Sequence, residues 1–114
     1  MFWNALFSRA EKMVKQLSFA EAKALLDSEP ACVLLDVREE EEYITGHAVD
    51  AVLLPVDEIN EQTARDAIPT RETPVLCYCR SGYRSHAAAQ KLARLGYTRV
   101  YDLGSLIGWP YGLE

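Results

Sequence analysis

The sequence predicts a single α/β domain: a mostly parallel central sheet with helices on both faces. Three observations predict it. Short apolar runs alternate with stretches of helical periodicity, prolines and glycines bound the runs, and a chain of 114 residues has room for one core only. With 49% apolar and 25% charged residues, the composition is that of a folded globular chain rather than a disordered one.

The elements follow in order. Phe2, Trp3, Leu6, Phe7, Ala10, Met13 and Val14 recur at three- and four-residue spacing, so residues 1–15 read as an amphipathic helical extension ahead of a domain over 16–114. Its plainest role is packing on its own domain. Ser18 and Glu21 form a capping box for a helix carrying Phe19, Ala22, Leu25 and Leu26, which Pro30 ends. Cys32 to Asp36 is an apolar run of the type buried on both faces of a parallel sheet. Glu39 to Glu42 reads as the acidic first turn of a short helix and as a solvated face. A second strand covers Ala51 to Leu54, a helix covers Asp57 to Ala67, and a third strand covers Pro74 to Tyr78. The spacing then predicts a helix over Ser85 to Leu95 with Gly96 at its C′ position, and a fourth strand at Arg99 to Tyr101.

Several function classes fall away. A net charge of −5 leaves no basic face for nucleic acid, and no run of eighteen apolar residues exists to span a membrane. The N-terminus lacks the pattern of a secretory signal, and three cysteines, an odd number, suit a reducing compartment, so the expected location is the cytoplasm. No cysteine–histidine pairing at ligand spacing points to a metal, and no cofactor is implied.

The chemistry concentrates in Val75-Leu-Cys-Tyr-Cys79-Arg-Ser-Gly-Tyr-Arg84-Ser85. An apolar strand runs into Cys79, four residues intervene, and Arg84 and Ser85 open an alanine-rich helix. Ligands of open α/β sheets bind beyond the carboxyl ends of strands, where this places Cys79. A loop curling into a helix start turns its N–H groups inward, and these, with the helix dipole and Arg80 and Arg84, favour an anion at the sulfur. The same field favours the reactive thiolate. Gly82 supplies the tight curl, while Ser85 is expected to cap the helix and to offer its hydroxyl to the sulfur. Ser81 and Tyr83 complete the loop, Tyr83 at its crest.

This segment resembles the active-site loop of the rhodanese family. Leu35-Asp-Val-Arg38, Glu41-Glu-Tyr43 with Gly46-His47, and Leu95-Gly-Tyr97 with Val100-Tyr101 extend the resemblance from about Ser18 to Trp109. It implies a single rhodanese-like domain and a sulfurtransferase in which Cys79 carries sulfur as a persulfide. Sulfur would pass from a donor such as thiosulfate or a persulfide to a thiol, to cyanide or to a protein acceptor. The loop Arg80 to Ser85 would cradle the sulfur, Arg80 would hold an anionic donor, and Arg84 would brace the loop through Asp36. Arg38 is the structural partner of Asp36. Two segments depart from the family: Gly46-His-Ala-Val-Asp-Ala51 alters the turn after His47, and Gly104-Ser-Leu106 replaces the usual glycine pair in the pocket wall.

Bland readings compete at several positions. Cys32 reads as a core thiol. Cys77 shares a strand face with Cys79 and reads first as a buried structural thiol, with a resolving partner for Cys79 as the rival. Two other functions stay open: arsenate reduction or phosphatase chemistry on a related cysteine loop, and a redox-sensing or partner-binding module using Cys77 and Cys79. Phosphatases of that class generally place five residues between cysteine and arginine, and here there are four.

Overall fold

In the computed structural model, which describes residues 14–114, five parallel strands form one sheet in the order β1-β5-β4-β2-β3. The strands are β1 (Lys15–Gln16), β2 (Val33–Asp36), β3 (Val52–Leu53), β4 (Val75–Cys79) and β5 (Val100–Ser105). Among the described residues four α-helices accompany them: α1 (Phe19–Ser28), α2 (Glu40–Ile44), α3 (Glu61–Ala67) and α4 (Tyr83–Arg94).

β4 is central and every residue in it is buried, as its unbroken apolar run requires. Its side chains alternate between the two halves of the core. Val75, Cys77 and Cys79 pack with Ala64 and Ile68 at α3 and with Ala88, Ala89 and Leu92 of α4. Leu76 and Tyr78 pack with Ala22 of α1, Leu34 and Leu103 on the other face. Helices on both faces follow from this alternation. α1 starts where expected: Ser18 Oγ accepts from the Glu21 N–H at 3.1 Å, and Glu21 Oε1 accepts from the Ser18 N–H at 2.9 Å.

Four sequence expectations change. Of the helical extension over 1–15, residues 1–13 lie outside the described residues, and Lys15 sits in β1 opposite Tyr101. The single helix over Asp57 to Ala67 is broken. A 3₁₀ turn covers Val56–Glu58, and α3 restarts after Asn60, whose side chain accepts from the Thr63 N–H at 3.0 Å. That cap, with Thr63 returning the bond to the Asn60 N–H at 2.9 Å, gives the chain a better local solution than continuous helix. α4 starts two residues early, at Tyr83 rather than Ser85, with Gly82 before it at φ 97°. β5 runs on to Ser105, and its register shifts by one residue beside Cys77 and Tyr78, so that Asp102 lies opposite Cys77 and Gly104 opposite Tyr78. The extra residue bends β5 around the end of β4.

Candidate active site

Cys79 is the last residue of β4 and is fully buried. The chain turns through Arg80, Ser81 and Gly82 straight into α4, so the free N–H groups of the helix start lie beside the thiol. Cys79 Sγ accepts from the Gly82 N–H at 2.9 Å and from the Ser85 N–H at 3.3 Å. Charge on this sulfur meets two backbone donors and the positive end of a twelve-residue helix. No cation has to move for that.

The rest of the loop is held from outside. The Leu106 N–H donates to the Cys79 carbonyl at 2.9 Å, and Ser105 Oγ donates to the Arg80 carbonyl at 2.5 Å. The Gly104-Ser-Leu106 segment thus forms the wall that clamps the loop. Ser85 departs from expectation. It lies in the first turn rather than at the cap, its backbone N–H serves the sulfur, and its hydroxyl donates to the Gly82 carbonyl at 3.1 Å. Arg80 and Ser81 are exposed, and Tyr83 stands at the crest with 83% of its surface free.

Arg84 is braced by a carboxylate, but not by Asp36. Its guanidinium forms a fork on Glu42, Nη1 to Oε1 at 2.6 Å and Nη2 to Oε2 at 2.9 Å. The fourth and last glutamate of the acidic run is therefore an anchor of the loop rather than part of a solvated face. Arg84 holds the Glu42 carboxyl down to about 2, from an ordinary 4.5.

Asp36 is fully buried and pairs with Arg38, whose Nε reaches Oδ1 at 2.9 Å and whose Nη2 reaches Oδ2 at 2.6 Å. Tyr78 Oη donates to Asp36 Oδ2 at 2.6 Å and accepts from the Ala48 N–H at 3.1 Å. Arg38 Nη2 also donates to the Gly46 carbonyl at 2.8 Å. These bonds tie the Asp-Val-Arg and Gly-His segments to the strand that carries the cysteine, on the face opposite Cys79. Tyr78 went unread in the sequence, although its place between two cysteines of one strand already puts it on that opposite face.

Cys77 is also fully buried on the Cys79 face, and desolvation pushes its thiol far up. Cys32 is raised to about 11, chiefly by burial. His47 lies flat on the Tyr43 ring at 3.7 Å between centroids and is structural. A groove of about 550 Å³ runs beside the loop, lined by Gln16, Ser81, Gly82, Tyr83, His86, Ala87, Gln90 and Asp102. Among the described residues, no helix is long and apolar enough to cross a membrane.

Residues 18–109 match the family model described as the rhodanese-like domain. Thiosulfate sulfurtransferase PspE of Escherichia coli is 36% identical over 63% of this chain and 68% of its own. Thiosulfate sulfurtransferase GlpE of Coxiella burnetii is 34% identical over 80% of this chain and 81% of its own. Among solved structures, an E. coli rhodanese with anions superposes with a TM-score of 0.69 at 30% identity, over 74% of this chain and 98% of that one. A rhodanese-like domain from Anabaena superposes with a TM-score of 0.78 at 24% identity, over 90% of this chain and 80% of that one, which speaks to fold alone.

Proposed function

This chain belongs to the rhodanese-like sulfurtransferase family, and we propose that it carries sulfur as a persulfide on Cys79. The observation that carries the reading is the pair of backbone N–H bonds to Cys79 Sγ at the start of α4. They stabilise the thiolate that attacks, and the same thiolate when it leaves.

The reaction runs in two displacements. Cys79 thiolate attacks the outer sulfur of thiosulfate or of a persulfide donor. The donor's sulfur–sulfur bond breaks, and its electron pair leaves with sulfite or with the donor thiolate. A thiol, cyanide or a protein thiol then takes the terminal sulfur, and the electron pair returns to Cys79 Sγ. Such an exchange is ping-pong. Exposed Arg80 at the loop mouth would meet the anionic donor, and exposed Tyr83 would meet the acceptor. The proposed setting is the reducing cytoplasm.

The rival chemistries find less support. Transfer of a tetrahedral oxyanion wants a guanidinium aimed at the contents of the loop, and Arg84 turns its fork on Glu42 instead. A resolving role for Cys77 wants a reactive thiol, whereas burial pushes this one away from ionisation.

The test is to incubate reduced protein with thiosulfate, locate added sulfur by mass spectrometry, and chase with cyanide. One added sulfur on Cys79, lost to cyanide, absent in Cys79→Ala and kept in Cys77→Ala, is the expected result. An unmodified Cys79 after both thiosulfate and a persulfide donor overturns the proposal.

A further inference from the structure

The groove beside the loop has a wall of unusual chemistry. Asp102 of β5 contributes a carboxylate whose side chain is only 3% exposed. Its Oδ1 accepts from the Gly104 N–H at 2.8 Å. Its Oδ2 faces His86 Nδ1 across 3.7 Å, beyond ordinary hydrogen-bond reach. Gln16 of β1, exposed, and Gln90 of α4, half-buried, add neutral polar side chains to the groove, and among the described residues no lysine or arginine lines it.

Position relates this carboxylate to the reacting sulfur. Asp102 lies opposite Cys77 in the β4–β5 register, and its charge acts on the Cys77 thiol, so both side chains share one sheet face. Cys79 lies on the same face two residues further along β4, about 7 Å by the strand rise. A molecule with one end at the loop and the other at Asp102 therefore spans a short distance. His86 is not set to act as a base toward the loop. Its Nε2 faces the Gln90 side chain at 3.3 Å, one helical turn further from Cys79.

Resting on the persulfide reading, we infer that this groove is the acceptor subsite, and that it selects thiols carrying a cationic amine. The thiolate end attacks the outer sulfur of the Cys79 persulfide. The bond between the two sulfurs breaks, its electron pair stays on Cys79 Sγ, and the acceptor leaves as a persulfide. The thiol proton goes to solvent before attack. The ammonium end is held by Asp102, with Gln16 and Gln90 as neutral partners. The exposed Tyr83 ring at the rim offers the same cation its π face. Asp102 is thus a specificity residue, acting on the far end of the acceptor rather than on the sulfur being transferred.

The experiment compares cysteamine with 2-mercaptoethanol as acceptors for sulfur preloaded on Cys79, at neutral pH where the amine is charged. The two thiols differ in intrinsic reactivity, so the readout is their kcat/KM ratio, measured in wild type, Asp102→Asn and His86→Lys. Rates in each protein are referred to its own transfer to cyanide. Asp102→Asn removes the charge. His86→Lys, at a side chain 65% exposed, sets a competing cation beside an intact carboxylate and carries the test if the buried substitution fails to fold. The cysteamine preference is expected to fall about fivefold in both variants, through KM, as loss of a partly screened ion pair requires. An unchanged ratio in either variant that still loads Cys79 overturns the subsite and leaves the sulfur-carrying reading intact. Failure of wild type to load Cys79 overturns both.

Discussion

At Gly82 a single backbone angle connects sequence, fold and reaction. Its φ of 97° lies where a side chain is strained, yet an added Cβ would meet nothing closer than Gly104 Cα at 3.8 Å. Strain alone therefore sets the effect of Gly82→Ala, about 1–2 kcal/mol. A chain that relaxes this angle also turns the Gly82 N–H away from Cys79 Sγ, the shorter of its two donors. Sulfur loading from thiosulfate is expected to slow about tenfold, less than outright loss of an oxyanion donor costs. Urea denaturation and a loading time course measure the two effects separately; a slow variant of unchanged stability would mean the angle had not been strained. Ser85→Ala makes the complementary case. It keeps the N–H at 3.3 Å from the sulfur and removes only the hydroxyl bond to the Gly82 carbonyl, so loading is expected to persist near the wild-type rate. A collapse of loading would restore the hydroxyl as the sulfur's donor.

Between elements, the decisive contacts are ones that no local pattern announces. Glu42 in α2 and Arg84 in α4 are 42 positions apart, and the sequence reads Glu42 as part of a solvated face and Arg84 as the partner of Asp36. Asp36 was assigned to Arg84, although Arg38, two residues away, already satisfies it. By contrast, α1 was legible from its capping box, and β4 from the apolar run that begins after Pro74. β1 was not, because its two residues are both exposed and carry no apolar signal. Strand pairing with β5, a tertiary event, makes it a strand.

The Glu42–Arg84 pair has a consequence in acid. The Glu42 carboxyl sits at about 2 in the folded chain against an ordinary 4.5, so its contribution is fully present above about 4.5 and is lost as pH falls toward about 2. With side chains 29% and 31% exposed, the pair contributes about 1 kcal/mol. Glu42→Gln is expected to be less stable than wild type at neutral pH and to close that gap below about pH 3, in denaturation curves run across the range. A constant gap would show that Glu42 acts by shape rather than charge. Tyr78→Phe tests the opposite face. It leaves Asp36 Oδ2 one donor short and the Ala48 N–H without its acceptor, and is expected to cost about 1–3 kcal/mol with Cys79 loading retained.

Among the described residues, the two halves of the core lie on opposite faces of the sheet and share β4, so what steadies one face of β4 also steadies the cysteine on the other. Residues 43–51 belong to that supporting face: the Gly46 carbonyl accepts from Arg38, the Ala48 N–H donates to Tyr78 Oη, and Tyr43 Oη donates to the Ala51 carbonyl at 2.9 Å. The end of the chain returns to the same segment. His47 and Glu114 exchange backbone bonds at 3.0 and 2.8 Å, the Val49 N–H donates to the Gly112 carbonyl at 3.2 Å, and Asp50 N–H donates to Glu114 Oε1 at 3.0 Å. Trp109 and Tyr111 bring this strand-like tail past α1, with Trp109 edge-on to Phe19 at 5.4 Å between centroids. The sequence placed Trp109 at the family's end and left the next five residues without a role. Their bonds give them one, because exposed hydrogen bonds of this kind still lower the freedom of the loop they hold. A chain ended at Trp109 is expected to lose about 1–3 kcal/mol, seen as a Tm lower by several degrees in a domain this size. Sulfur loading on Cys79 at moderate temperature should remain, since none of these bonds touches β4 or the loop. If the shortened chain stays as stable but no longer loads sulfur, the tail positions the active-site loop rather than steadying the fold.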